Sequence, residues 1–110
     1  MPNLRYYKIA LKLCEDSDHT KHKMAAVLVK GGAVVSKATN RQLWGAHAEK
    51  RALHARRTRR AWANGGTLYV ARLGGRMSRP CEACLNVLRK LGIDKVVFAN
   101  WDGHLIVEKI

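Results

Sequence analysis

With 110 residues the chain has material for one domain, residues 1–110, and no room for a second core. A hydrophobic content of 47% argues against disorder. Lys plus Arg total 21 against 8 Asp plus Glu, and the formal net charge of +13 points to a polyanionic partner, most simply nucleic acid.

No apolar run approaches the ~20 residues that span a bilayer, so no membrane partner is expected. The start, Met1-Pro2-Asn3-Leu4-Arg5, has no long apolar run after its basic residue and does not read as a secretory signal. The expected address is cytoplasmic, where Cys14, Cys81 and Cys84 stay reduced.

Residues 4 to 15 are predicted as an amphipathic helix. Leu4, Tyr7, Leu11 and Cys14 recur at spacings of three and four, with Ala10 widening the stripe. Cys14 lies on that stripe and reads as packing. Residues 16 to 23 are polar and form a loop; His19 and His22 within it raise a second-metal question but read as solvated. Residues 24–30 and 33–39 are apolar, β-branched runs separated by Gly31-Gly32, the signal of a β-hairpin.

Asn40 ends the second strand, and Trp44 sits in the loop that follows, where it either stacks on a base or covers the core. Residues 46 to 63 are predicted as a long helix with Ala48, Ala52, Ala55 and Ala63 on a small-residue face. Arg56, Arg57, Arg59 and Arg60 make the densest charge cluster of the chain. A charge run is usually a solvated face, but four arginines so close together repel one another and are more comfortable beside phosphates.

Residues 67–72 read as a strand. A flexible basic loop, 73–79, follows with Arg76 and Arg79. Pro80 suits the start of a helix over 81–91, and Gly92 ends it. Residues 95–100 and 104–110 are strands joined by the turn Trp101-Asp102-Gly103. A parallel neighbour needs a crossover of about a dozen residues, so the last strand is predicted to run antiparallel.

Two short motifs carry the chemistry: His47-Ala48-Glu49 and Pro80-Cys81-Glu82-Ala83-Cys84, together H-x-E … P-C-x-x-C. His47, Cys81 and Cys84 are three metal ligands, and Glu49 is a carboxylate that need not bind metal. Three protein ligands leave tetrahedral zinc one open position, the arrangement of a catalytic site. Cys81 and Cys84, at i and i+3 in the first turn of a helix, share a face and gain thiolate character from the helix dipole. Read alone, the cysteine pair is also compatible with a thioredoxin-like dithiol.

The combined motif resembles the zinc-dependent nucleobase deaminase superfamily, whose signature it matches. The resemblance implies a three-layer α/β/α fold of cytidine deaminase type: a mixed five-stranded sheet with an antiparallel last strand, in the order α-β-β-α-β-α-β-β. It implies that zinc activates a water for attack on C4 of cytosine or C6 of adenine, with His47, Cys81 and Cys84 as ligands and Glu49 as general acid and base. It further implies substrate contacts from Asn40 to the sugar and from the backbone of Ala48 to the base. Trp44 stands at the mouth, and Arg76 and Arg79 are placed for phosphates. Arg56, Arg57, Arg59 and Arg60 are the candidates for nucleic-acid contact.

The subfamily signals diverge. His47 as first ligand is common in polynucleotide and nucleotide deaminases, whereas the terminal hairpin resembles the free-cytidine branch. Arg79 stands where tRNA adenosine deaminases often carry Glu. The expected function is hydrolytic conversion of cytosine to uracil in single-stranded DNA or RNA. The alternatives are deamination of a free cytidine or deoxycytidine nucleoside or nucleotide, adenosine deamination in RNA, and a non-catalytic zinc-stabilised nucleic-acid-binding module.

Overall fold

The computed structural model describes residues 4–16, 23–39, 65–74, 77–80, 82–90 and 92–110. Helix α1 spans Leu4–Leu13 and tightens into a 3-10 turn at Cys14–Asp16. Tyr7, Ala10 and Cys14 are its buried residues, whereas Leu4 is 51% exposed. The buried stripe therefore runs through Tyr7, Ala10 and Cys14 as predicted, with Leu11 packed beside it, and of the predicted stripe Leu4 lies off the core. The small side chain of Ala10 lets the helix lie close against the sheet.

Strand β1 is Met24–Lys30 and β2 is Ala33–Thr39, as the two apolar runs split by Gly31-Gly32 predict. Gly31 and Gly32 have φ of 61° and 77°. Positive φ at both central residues matches the right-handed twist of the flanking strands. Val29 pairs with Val34, but Leu28 pairs with Ser36, so Val35 is an extra residue that bulges β2. The Tyr6 hydroxyl donates to the Gly32 carbonyl at 2.7 Å and ties α1 to the hairpin tip.

Strand β3 is Thr67–Arg72, helix α2 is Glu82–Lys90, β4 is Lys95–Ala99 and β5 is Leu105–Lys109. They complete a five-stranded sheet in the order β2-β1-β3-β4-β5. β1 is antiparallel to both β2 and β3, β3 and β4 are parallel, and β5 is antiparallel to β4. The antiparallel last strand follows from its short turn, which Asn100 closes: its side-chain oxygen accepts from the amides of Asp102 and His104 at 3.0 and 2.9 Å.

The strands alternate between two cores. On one face Ala25, Val27, Val29, Tyr69, Ala71, Val97 and Ala99 pack with Tyr7, Ala10 and Cys14 of the α1 segment. On the other, Ala26, Leu28, Leu68, Val70, Val96 and Phe98 pack with Leu85 and Leu88 of α2 and with Ile93. Side chains two apart share a face of a strand, so β1, β3 and β4 each feed both cores and the sheet is the middle of three layers. Leu28, Leu68, Leu85 and Leu88 are fully buried, each contributing about 1.5–3 kcal/mol by leaving water.

Helix α2 ends where Gly92 takes φ 82°. Its amide donates to the Arg89 carbonyl at 3.0 Å and that of Ile93 to the Leu88 carbonyl at 3.1 Å, the paired closure of a Schellman motif. Ile93 and Leu88 then sit in the same core. The helix predicted over residues 46–63 lies outside the described residues. Among those described, no helix is long and apolar enough to cross a membrane.

Candidate metal centre

Strands β2, β3 and β4 run in the same direction, so their carboxyl ends share one edge of the sheet. In open α/β sheets this edge is where ligands bind, where neighbouring strands part. Here β3 and β4 pair from Thr67↔Lys95 to Tyr69↔Val97. Beyond Tyr69 a strap, residues 77–80, enters between them.

Ser78 is the wedge. Its Oγ donates to the Val70 carbonyl at 2.8 Å and accepts from the Ala99 amide at 3.0 Å. Its own amide donates to the Ala99 carbonyl at 3.0 Å. Ser78 is 1% exposed and is the buried polar side chain among the described residues. Pro80 is buried after it. Residues 77–80 are loop, as expected, but the expectation of flexibility is corrected at Ser78, whose amide and hydroxyl join the sheet's hydrogen-bond system. A hydroxyl that donates and accepts at once replaces the missing ladder contacts.

Arg79 turns the other way. Its Nη2 lies 3.1 Å from Glu108 Oε2, and its Nε and Nη2 each donate to Glu108 Oε1 at 3.3 Å. Glu82, at the start of α2, is 3.5 Å from the same Nη2. The guanidinium therefore braces the strap to β5 and α2. Sequence reasoning missed both Ser78 and Glu108. The signal for Glu108 was the alternation of β5, which puts it on the α2 face with Ile106 and Ile110.

The strap leads directly into the cysteine motif. Cys84 is the third residue of α2 and lies in its first turn. Cys81 is outside the described residues, as are His47, Glu49, Asn40, Trp44, Ala48, Arg76, Arg56, Arg57, Arg59 and Arg60. Among the described residues, no three His, Cys, Asp or Glu side chains come together as a metal site.

The fate of the third cysteine tests whether the donor set suits zinc. Cys14 is fully buried beneath α1, its sulfur 3.4 and 3.3 Å from the carbonyl oxygens of Ala10 and Ala71. Burial pushes its thiol up to about 11, so it is neither accessible nor a thiolate. Cys81 and Cys84 of the P-C-x-x-C motif remain as the candidate soft donors, to be joined by the His47 imidazole. That donor chemistry fits zinc.

Residues 2–100 match the family model described as the cytidine and deoxycytidylate deaminase zinc-binding region. The chain belongs to this family of zinc-binding deaminase domains.

Solved structures agree on the fold. Acinetobacter baumannii RibD superposes with a TM-score of 0.68 at 25% identity, over 87% of this chain and 27% of that one. The dCMP deaminase of cyanophage S-TIM5 gives a TM-score of 0.73 at 23% identity, over 91% and 84% of the two chains. A Thermotoga maritima diaminohydroxyphosphoribosylaminopyrimidine deaminase/5-amino-6-(5-phosphoribosylamino)uracil reductase gives 0.66 at 23% identity, over 87% and 29%. The chain thus spans about a quarter of the RibD chain (27%) and most of the phage enzyme (84%). No curated protein sequence matches it.

Proposed function

We propose that the chain is a zinc-dependent hydrolase that converts cytosine to uracil, with single-stranded DNA or RNA as the substrate. The observation that carries the deaminase reading is the family match across residues 2–100, over a chain with H-x-E at 47–49 and P-C-x-x-C at 80–84. The net charge of +13 carries the choice of a polyanionic substrate.

His47, Cys81 and Cys84 hold the metal in this reading. Zinc bound there supplies a water whose pKa is lowered from ~15.7 towards ~7. Glu49 takes up the proton of the attacking water, delivers it to N3 of the base and helps protonate the departing amino group. The reaction breaks the C4–N4 bond, puts the oxygen of water in its place and releases ammonia. Asn40 is assigned to the sugar, the backbone of Ala48 to the base carbonyl, and Trp44 to stacking at the mouth.

Arg76 and Arg79 are assigned to phosphate, and Arg56, Arg57, Arg59 and Arg60 to the flanking backbone. Glu108 already engages Nε and Nη2 of Arg79 and competes with a phosphate there, so Arg76 bears more of that role. A duplex holds its bases stacked out of reach, which favours single-stranded or flipped substrate.

A free nucleotide is the second reading. The cyanophage dCMP deaminase, solved with dCMP and dUMP, shares this fold at 21% identity and a TM-score of 0.67.

The test is turnover by the zinc-loaded protein on single-stranded DNA, single-stranded RNA, cytidine and dCMP, scored as uracil at low and moderate salt. We expect uracil in a polynucleotide, and none from Glu49→Ala with its zinc retained. Activity confined to cytidine or dCMP would move the assignment to small molecules. Inosine from an adenosine substrate would replace cytosine by adenine. No turnover on any of them would leave the zinc-stabilised binding module.

A further inference from the structure

We infer that Ser78 is a positioning residue for the metal ligands, clamping the strap that leads into Cys81 and Cys84 between the carboxyl ends of β3 and β4. The inference rests on the zinc reading above and extends it to a residue that touches neither metal nor substrate.

A segment that joins a strand to a helix usually runs over the surface, with its polar groups in water. This one does the opposite at a single point. Ser78 is 1% exposed, and its amide and hydroxyl together make three hydrogen bonds to the backbones of Val70 and Ala99. Those residues belong to different strands, and both lie past the last ladder pair, Tyr69↔Val97. The hydroxyl therefore sets how far the two strands part and how deeply the strap sits between them. Hydrogen bonds across a buried gap leave little latitude in either quantity.

The chain then has two residues before the first cysteine of the motif. Pro80 is one of them, buried and with its φ held by the ring. A displacement at Ser78 thus passes to the ligand turn with little slack. Arg79 braces the outer side through Glu108 on β5 and Glu82 on α2. The strap is fixed to β3, β4, β5 and α2 at once, which is more than closing a loop requires. Groups that orient metal ligands from behind typically govern metal affinity by about ten- to a hundredfold.

Serine fits because its hydroxyl donates and accepts at the same time. Alanine fills the space but leaves the Val70 carbonyl and the Ala99 amide each short of a partner. Threonine keeps the hydroxyl.

The experiment compares zinc affinity, by competition with a chromophoric chelator, in wild type, Ser78→Ala, Ser78→Thr and Val27→Ala. Val27→Ala removes bulk from the α1-side core and controls for lost stability alone. All are measured well below their unfolding temperatures. The cobalt(II) forms are compared by their thiolate-to-metal and ligand-field absorption.

We expect wild type to bind one zinc, and Ser78→Ala to bind it about ten- to a hundredfold more weakly with shifted cobalt bands. Ser78→Thr should stay near wild type, and Val27→Ala should keep both affinity and spectrum. Ser78→Ala holding zinc as tightly as Val27→Ala, with an unchanged cobalt spectrum, overturns the inference. Should Ser78→Ala not fold, Arg79→Met releases the exposed brace instead. A smaller loss in the same direction is then expected, and none overturns the clamp. Wild type that binds no zinc sinks the metal reading itself, an outcome distinct from either.

Discussion

A thiol with no route to solvent behaves as an apolar side chain, and Cys14 is such a thiol. Its pKa is raised from 9.0 to about 11, chiefly by desolvation. Tyr7, on the same helix face, is raised too, by burial first and by the Cys14 charge second. A group whose pKa is raised on folding contributes stability that is whole below its unfolded value and is lost as pH climbs through the folded one. The unfolding midpoint should therefore hold steady from neutrality to about pH 9 and fall between about pH 9 and 11. Cys14→Ala should flatten that fall without removing it, because Tyr7 still titrates. A pH series of thermal melts on the two proteins checks this; parallel alkaline limbs would mean that Cys14 plays no part. The burial of Cys14 was legible because helical spacing puts it on the apolar stripe. That of Ser78 was not. A serine among glycines and arginines looks solvated, and only the gap between two strands distant in sequence makes it a core residue. Arg79 was legible as a charge, but its partner Glu108 is 29 positions away.

Among the elements, the β1–β2 hairpin shows local chemistry deciding structure. Its strands lie at the predicted residues because Gly31-Gly32 accepts a backbone that other residues resist. A Cβ built on Gly32 meets nothing within 4 Å, and φ there is +77°, so the cost of substitution is conformational alone. Gly32→Ala should destabilise the fold by about 1–2 kcal/mol. At roughly 4–8 °C per kcal/mol for a domain near this size, calorimetry resolves the shift. Gly32→Asn should cost less, since Asn tolerates the left-handed region. Equal melting for wild type and Gly32→Ala would show that the turn relaxes to another form. The bulge at Val35 had no such local marker, because it exists only relative to the register of β1. The stripe of α1 was legible as a period, and Tyr7, Ala10 and Cys14 of it are the buried residues.

For the whole molecule, the antiparallel last strand was legible because its connection length dictates it: a tight turn cannot cross a sheet; the layer order was legible only through the resemblance that the H-x-E … P-C-x-x-C motif carries. What charge does was less legible, since Coulomb fields report a sum and not a geometry. The +13 balance makes a quantitative demand. If Arg56, Arg57, Arg59 and Arg60 contact a single-stranded backbone, the log–log slope of affinity against salt should become shallower by about 0.7 for each one changed to Gln. Anisotropy titrations of a labelled oligonucleotide across a salt series measure it. An unchanged slope in the fourfold variant would assign the cluster to solvent.

The Ala99 amide gives the clamp a clock. Its proton is held by a side-chain oxygen of the strap and not by a neighbouring strand. Hydrogen exchange at that one amide therefore follows the lifting of the strap, while the amides of the β4–β5 ladder follow the parting of the sheet. Two opening motions, one local and one global, are written into neighbouring positions of a single strand.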